Sequence, residues 1–325
     1  MGSPRAEYRS DAFGLDLALG FAVPGLGRPA ALRAGSRWVS VEGISGTAHS
    51  AAWEPRGAVR LWETRSADGR LEVSLDHGAA AYRLSARDRG RYLVSGDGAR
   101  VRCALPGRGL GWARILTAQV LPLAALLRGL EVFHASAVSL DGEALALIGP
   151  SGAGKTTLAL ELVRSAGAGL LTDDVLAVES HGDAVLAHRG PGVLSPRRSA
   201  LGPLAAAGLH GLGSVIAHTA KGPLVDLPRA SSPLPLTCLY FIQRLAGLGA
   251  PSVEPADAEP SLLLGSTFNF VVRSRERVVR QLDICSRLAE STTTFQVSIP
   301  DGSSPAEVAQ LILASQKRRP MAVAA

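Results

Sequence analysis

A glycine-rich segment in the middle of the chain has the residue types and spacing of a phosphate-binding loop, G-x-x-x-x-G-K-[ST]. Every fixed position is matched by the run Gly149, Pro150, Ser151, Gly152, Ala153, Gly154, Lys155 and Thr156. Glycines let successive backbone N–H groups point at one anion, and the start of a following helix adds positive charge. A lysine here can reach the outer phosphates of a nucleotide, and a threonine hydroxyl can bind Mg²⁺. We therefore predict an MgATP site over residues 149–157, ending at Thr157, with Lys155 exposed as a phosphate ligand.

Two adjacent acids follow the loop, at the end of a short apolar run. Residues 170–172 are Leu-Leu-Thr, and Asp173 and Asp174 come next. Because adjacent residues of a strand point to opposite faces, the two carboxylates should have different tasks. One could hold Mg²⁺ and the other could accept the proton of an attacking hydroxyl. The alternative is that Asp174 only caps a turn.

Two further side chains could act on a phosphate. His134 stands alone upstream of the loop, where a histidine is more often structural, but its reference pKa of about 6.5 lets it donate or accept a proton. Lys221 is one of only three lysines among 34 basic residues. An arginine-rich chain that keeps a lysine can need a compact, mobile charge there, so Lys221 is a candidate contact for substrate or phosphate.

The candidate residues require elements that bring them together. An apolar strand over residues 144–148 should enter the loop, and a helix over residues 156–164 should leave it. Asp141-Gly142 predicts a hairpin that joins this strand to residues 135–140. The run 170–175 should form a neighbouring strand whose end lies beside the phosphate loop.

The first third of the chain is predicted to be rich in β-strands. Strands over residues 8–17 and 38–41 precede two hairpins with turns at Asp68-Gly69 and Asp97-Gly98. The segment Pro-Gly-Arg-Gly at residues 106–109 favours a boundary. We expect a β-rich domain over residues 1–108 and a catalytic domain over residues 109–325.

Three helices are predicted outside the loop region. Apolar spacing indicates one continuous helix over residues 112–130 and a closing helix over residues 305–315. Between residues 273 and 287, the charged side chains should form the polar face of a helix, with Val278, Leu282 and Cys285 on the apolar face.

Composition excludes several classes of protein. The chain has 325 residues, 46% of them hydrophobic, and a formal charge of +6, which is typical of a globular protein rather than a disordered one. The arginines are spread out, so no nucleic-acid partner is expected. Three scattered cysteines and the absence of a signal sequence favour the cytoplasm. The most apolar stretch contains Pro122, Arg128 and Glu131, so no membrane contact is expected.

The stretch from residue 134 to 178 resembles the catalytic domain of the HPr kinase/phosphorylase family. It carries His-Ala-Ser-Ala-Val, then Gly-Pro-Ser-Gly-Ala-Gly-Lys-Thr-Thr, then Leu-Thr-Asp-Asp-Val. The whole chain resembles a divergent branch, the HPr-kinase-like serine kinases of ribosomal peptide pathways, notably lasso peptides. Tyr8, Gly14, Pro24-Gly25-Leu26 and the Leu-Arg-Gly-Leu run at residues 127–130 carry that second resemblance.

The resemblance implies an α/β fold, with a P-loop-containing HPr kinase/PEP-carboxykinase-like catalytic domain preceded by a smaller β-rich domain. It implies an MgATP-dependent serine kinase acting on a peptide or small protein. Lys155 is then the phosphate-binding lysine, Asp174 the proton acceptor and His134 the active-site histidine. Thr156 holds Mg²⁺ with help from Asp173. Whether the chain forms a homo-oligomer stays open.

One segment departs from the family pattern. The Glu-x-Arg-Gly segment, whose Glu helps to hold the metal in the family, is Ala-His-Arg-Gly at residues 187–190. Without that Glu, the reverse phosphorolysis is expected to be weak. Arg189 is a candidate phosphate clamp because its planar fork suits bidentate contact; the alternative is a solvated surface arginine.

Other functions stay open on the sequence alone. They are a bifunctional HPr kinase/phosphorylase, a small-molecule kinase, a non-catalytic nucleotide-binding regulator, and a switch or transport ATPase that attacks with water. The transport ATPase predicts an ABC-type Leu-Ser-Gly-Gly-Gln signature, which the sequence lacks.

Overall fold

The computed structural model describes residues 8–27, 37–196, 213–218, 222–247, 249–268 and 274–318. Over these residues the chain is a mixed α/β protein, as predicted. Lys221, a predicted phosphate contact, lies outside the described residues. No helix in the described ranges has the length and apolar character needed to cross a bilayer.

An eight-stranded sheet occupies the first part of the described chain. Its strands are β1 (Tyr8–Ala12), β2 (Leu15–Leu19), β3 (Trp38–Gly43), β4 (Val59–Arg65), β5 (Leu71–His77), β6 (Ala81–Ala86), β7 (Gly90–Ser95) and β8 (Arg100–Ala104). In space they run β1-β2-β3-β8-β7-β6-β5-β4, and the short helix α1 (Gly46–Ala51) contacts β7 and β8. Both predicted Asp-Gly hairpins are confirmed, with φ of +80° at Gly69 and +70° at Gly98.

The helical segment after this sheet is interrupted, contrary to the single helix predicted over residues 112–130. It consists of α2 (Gly111–Ile115), a π-helical turn (Leu116–Val120) and α3 (Leu121–Leu127). The Leu121 N–H bonds to the Leu116 carbonyl, five residues back. Pro122 follows and has no N–H to restore the regular ladder. The helical segment shares one apolar core with the eight-stranded sheet. This core includes residues on both sides of the predicted domain boundary at residue 108, and that boundary stays a prediction.

A second, larger sheet holds the predicted phosphate loop. The remaining strands, in chain order, are β9 (Glu131–Phe133), β10 (Ala135–Leu140), β11 (Glu143–Ile148), β12 (Gly169–Thr172), β13 (Leu176–His181), β14 (Ala184–His188), β15 (Val193–Leu194), β16 (Ser214–His218), β17 (Pro223–Asp226), β18 (Leu234–Arg244), β19 (Ser252–Pro255) and β20 (Thr293–Ile299). The order in the larger sheet is β12-β10-β11-β18-β14-β13-β9, with β20 between β18 and β19. Strands β15, β17 and β16 form a small separate sheet. The predicted β10–β11 hairpin is confirmed.

Helices cover both faces of the larger sheet. They are α4 (Lys155–Ala166), α5 (Pro260–Gly265), α6 (Arg275–Ser291) and α7 (Pro305–Lys317). Because alternate strand residues point to opposite faces, Leu145 and Leu147 of β11 pack in one core with α4 and α7. Ala144 and Ala146 pack in another core with α5 and α6. The phosphate loop therefore projects from the edge of a three-layer unit.

The buried face of α6 differs from the prediction. Cys285 is buried as expected, but Val278 and Leu282 are 46% and 49% exposed. Arg277 is buried instead because its guanidinium lies 2.5 Å from the buried carboxylate of Glu131. An apolar pattern along one helix cannot reveal a partner that comes from a distant strand.

Candidate functional site

The predicted phosphate loop joins the end of β11 to the start of α4, as expected. A Cβ atom on Gly149 would lie 2.5 Å from the Ile242 carbonyl oxygen, so only glycine allows the loop to pass β18 this closely. Gly154 has a φ of +108° and leads into α4. Pro150, Ser151, Gly152 and Ala153 form the turn between these two glycines, and Thr157 lies in the first turn of α4.

The Lys155 side chain is buried, whereas the sequence predicted an exposed ligand. It is only 6% exposed, because the loop folds around it. Its ammonium group donates to the Gly149 carbonyl at 2.6 Å and to the Pro150 carbonyl at 3.1 Å. The Lys155 charge thus lies inside the loop, where a bound phosphate chain would be surrounded by backbone N–H groups.

The two acids lie beside the phosphate loop, as predicted, but the strand that precedes them is not the neighbour of the strand that enters the loop. Strand β12 is not adjacent to β11, because β10 lies between them and runs antiparallel to both. Strands β11 and β12 therefore run in the same direction and end at the same edge of the sheet. The acids also lie in a turn after β12 rather than on the strand, so strand alternation does not separate them.

Asp173 joins three elements of the site. Its Oδ1 accepts hydrogen bonds from the Thr156 hydroxyl at 2.8 Å and the Ser136 hydroxyl at 2.7 Å. Burial and the charge of Asp174 raise the pKa of Asp173 to about 6, while the two hydroxyl donors act in the opposite direction. The sequence had given no role to Ser136.

These oxygen atoms fit a magnesium ion chemically. Among the described residues, no group of three or more His, Cys, Asp and Glu side chains forms a metal cage. Mg²⁺ commonly takes only one or two protein ligands and completes its shell with water and phosphate oxygens. Thr156 and Asp173 supply such a pair, and a cavity of about 30 Å³ beside Asp173 and Asp174 has room for water.

Asp174 has a strained backbone and a separate side-chain partner. Its φ is +65°, and the Val175 N–H bonds across it to the Asp173 carbonyl at 2.8 Å. A non-glycine residue in this region costs free energy, which is often found where a side chain must be aimed. The Asp174 carboxylate accepts a 2.8 Å hydrogen bond from Arg114 of α2. Sequence reasoning missed Arg114, which no motif marks.

His134 bridges Asp174 and Lys155. Its Nδ1 lies 2.9 Å from the Asp174 backbone carbonyl, and its Nε2 lies 3.3 Å from the Lys155 ammonium. A carbonyl only accepts, so Nδ1 carries the proton and Nε2 faces the ammonium with its lone pair. Burial and the Lys155 charge lower the pKa of His134. The neutral ring therefore positions both neighbours.

Arg189 is not presented to the loop as a phosphate clamp. Its guanidinium donates to both carboxylate oxygens of Asp11 in β1, at 2.7 and 2.6 Å, and to the Ala230 carbonyl at 3.2 Å. The bidentate geometry that suggested a phosphate is used on an internal carboxylate. The nucleotide-binding role of Arg189 stays a prediction that this contact disfavours.

A different arginine lies at the loop. Arg244, the last residue of β18, is exposed, and its Nη2 is 3.5 Å from where a Cβ on Gly154 would lie. Its nearest acid is Asp301, with 3.9 Å between Nη1 and Oδ1. No motif marks Arg244, because its position at the loop depends on the parallel pairing of β11 with β18.

No protein-family model and no curated protein matches the chain. Among solved structures, the chain is similar to the Hpr(Ser) kinase/phosphatase from Coxiella burnetii, with 13% sequence identity. The match covers 57% of this chain and 97% of that chain, with a TM-score of 0.31. A TM-score this low does not indicate a shared fold, so the chemistry of the site must be inferred from its own geometry.

Proposed function

We propose that the protein is an ATP-dependent kinase that transfers the γ-phosphoryl group to a hydroxyl, a serine on a peptide or small protein. One observation carries the proposal. The Thr156 hydroxyl and the Asp173 carboxylate meet at 2.8 Å where α4 begins, and the Asp174 carboxylate follows in the same turn. A phosphate site, a metal-ligand pair and a base thus lie together.

The loop and α4 hold the nucleotide. Backbone N–H groups of the loop, to which Pro150 contributes none, and the positive end of α4 bind the phosphates. Lys155 neutralises the phosphate charge from inside the loop. Thr156 and Asp173 would hold Mg²⁺, which when bound offsets the negative charge of the β- and γ-phosphates. His134 holds the Lys155 ammonium and the Asp174 backbone in fixed positions relative to each other through its two ring nitrogens.

Asp174 accepts the proton of the attacking hydroxyl. The acceptor oxygen forms a bond to the γ-phosphorus while the bond from that phosphorus to the bridging oxygen breaks. The hydroxyl proton passes to the Asp174 carboxylate, and ADP leaves. Arg114 orients this carboxylate through its 2.8 Å hydrogen bond. Positioning and charge neutralisation supply most of the rate enhancement.

The motif resemblance supports the finer assignment to HPr-kinase-like serine kinases of ribosomal (lasso) peptide pathways. The residues that carry it form two hydrogen-bonded groups, His134 with Lys155 and Asp174, and Thr156 with Asp173. Since the family Glu is missing and Arg189 pairs with Asp11, the proposal covers the forward kinase reaction and not the phosphorolysis.

Transfer from labelled ATP to serine peptides tests the proposal. Wild-type protein should label the acceptor, and Lys155→Ala should lose both MgATP binding and transfer. Lys317→Ala, at the exposed end of α7, is the matched control and should behave as wild type. ATP hydrolysis without acceptor is measured in parallel. Full transfer by Lys155→Ala, or hydrolysis with no transfer to any hydroxyl, would contradict a kinase.

A further inference from the structure

A cavity of about 740 Å³ connects the candidate site to the eight-stranded sheet. It is bordered by Ser151 of the phosphate loop, His134 and Asp174. It is also bordered by Trp62, Leu75 and Leu84 of strands β4, β5 and β6. The eight-stranded sheet therefore forms one wall of a cavity that is also lined by Asp174, the proposed base.

The size and lining of this cavity are those of a binding site. Cavities that hold small ligands or a few side chains measure about 300–1,000 Å³ and combine apolar walls with a few polar groups. Ile115 and Leu123 of the helical segment and Phe268 continue the apolar wall. At the rim, Arg89 pairs with Glu72 at 3.6 Å, so this rim pair gives no preference for a strongly charged acceptor.

Gln119 gives this wall a polar group that the fold itself does not use. Its Oε1 is buried and has no hydrogen-bond partner among the described residues, and Gln119 lines the cavity. A buried acceptor without a partner costs free energy unless a ligand supplies a donor. Gln119 belongs to the π-helical turn, a rare feature that is found frequently at functional sites. The turn thus places an unpartnered amide oxygen on a residue of the cavity wall.

We infer that this cavity binds the acceptor as a peptide segment in which an apolar residue lies next to the phosphorylated serine. The inference rests on the proposed kinase function and names its substrate class. The serine hydroxyl reaches Asp174, a backbone N–H donates to Gln119, and the apolar side chain packs against Trp62, Leu75 and Leu84. A serine with an apolar neighbour carries a hydroxyl, a backbone N–H donor and an apolar group close together, and the cavity is lined by a partner for each of them.

Synthetic serine peptides test the inference in the 325-residue chain. One set carries Leu or Phe beside the serine, and a second set carries Asp or Ser there. Three variants are compared with wild type: Trp62→Ala, Gln119→Leu, and Trp38→Ala as the matched control. Trp38 lies in the same sheet, is 37% exposed and does not border the cavity. Phosphorylation kinetics, MgATP affinity and thermal stability are measured for each protein.

The inference predicts a specific pattern. Wild type should phosphorylate peptides with Leu or Phe beside the serine with a lower KM than peptides with Asp or Ser there. Both Trp62→Ala and Gln119→Leu should raise the KM for the apolar peptides about tenfold, the scale of one hydrogen bond or apolar contact. The kcat, the MgATP affinity and the Trp38→Ala kinetics stay near wild type. Gln119→Leu removes an unpartnered buried atom, so its melting temperature does not fall. A purely structural glutamine would not move KM in this way.

The remaining outcomes separate the two proposals. Phosphorylation without preference for an apolar neighbour, or wild-type KM in both cavity variants, would overturn the cavity assignment and leave the kinase standing. Lys155-dependent MgATP binding with transfer only to small alcohols would overturn the peptide acceptor. Absence of MgATP binding in wild type would overturn the proposed function together with this inference.

Discussion

The Thr156 hydroxyl lies 2.8 Å from Asp173 Oδ1, so one hydrogen bond ties the start of α4 to the turn after β12. The loop before α4 follows β11 and the turn follows β12, and these two strands are not adjacent in the sheet because β10 lies between them. Ser136 of β10 donates to the same oxygen at 2.7 Å. Asp173 is therefore held from both sides, whereas the contacts of Asp174 within the described part of the chain are made through its backbone carbonyl with His134 and through its carboxylate with Arg114.

Asp173→Asn should raise the Mg²⁺ concentration needed for transfer. The substitution keeps the shape of the side chain and removes the charge that attracts the ion. Titrating Mg²⁺ at fixed ATP measures the effect, and Ser136→Ala serves as a control that keeps the carboxylate. An unchanged Mg²⁺ requirement in Asp173→Asn would show that the metal is held elsewhere.

Asp174→Asn should lower acceptor phosphorylation by about 10²-fold or more, the usual scale for loss of a positioned base. MgATP affinity should change much less, because the loop, Lys155 and Thr156 hold the phosphates. Binding and transfer are measured separately for the Asp173 and Asp174 variants. Loss of ATP binding in Asp174→Asn alone would mean that the two roles are reversed.

Local sequence signals predicted the placement of the loop and of the two acids beside it, and the roles of these residues stay predictions. The loop motif, the β10–β11 hairpin and the two acids all depend on residues close together in sequence. Arg114, Ser136 and Arg244 were missed because each reaches the site through strand order or helix packing. Lys155 was expected to be exposed because its burial depends on the path of the loop, which the motif does not reveal. Arg189 was predicted as a phosphate clamp, and the sequence did not reveal its partner Asp11, which lies 178 residues away.

Arg189→Ala and Asp11→Ala should destabilise the protein by similar amounts, of about 2 kcal/mol for a largely buried bidentate pair. The double variant should lose little more stability than either single variant. MgATP affinity should stay near wild type in all three. Thermal unfolding and ATP titration give both readouts. A loss of MgATP affinity confined to Arg189→Ala would restore its predicted role as a phosphate clamp.

Arg277→Met should destabilise the protein by about 3 kcal/mol or more, because it leaves the buried Glu131 carboxylate without its partner. Arg277 and Glu131 are 3% and 0% exposed in their side chains. Adding Glu131→Leu should recover much of the loss, since two apolar residues then fill the same space. Chemical denaturation measures both variants. Equal stability of Arg277→Met and wild type would show that the pair is dispensable.

His49 should make the stability of the eight-stranded sheet depend on pH. It is 1% exposed, and its Nε2 has no partner among the described residues. Burial and the charges of Arg91, Arg83 and Arg102 lower the pKa of His49 from 6.5 to about 4.

The sign of the effect follows from where the proton binds. The unfolded chain protonates His49 below about pH 6.5, whereas the folded chain resists protonation until about pH 4. The contribution of neutral, buried His49 to the free energy of unfolding is therefore fully present above pH 6.5 and is lost as the pH falls from 6.5 towards 4. A shift of this size corresponds to about 3 kcal/mol.

Wild type and two variants are compared by thermal unfolding at pH 7.5, 6, 5 and 4.5. These conditions are chosen to cover the pH range over which the contribution of His49 is lost. His49→Gln removes the titrating group and should flatten the loss of stability between pH 6.5 and 4. His77→Gln, at an exposed histidine in β5, should keep the wild-type slope. If His49→Gln follows the same slope as wild type, protonation of His49 does not govern the acid sensitivity. His49 is buried in α1, which contacts β7 and β8 of the sheet that forms a wall of the large cavity. We therefore expect peptide binding to be lost at low pH before MgATP binding is lost.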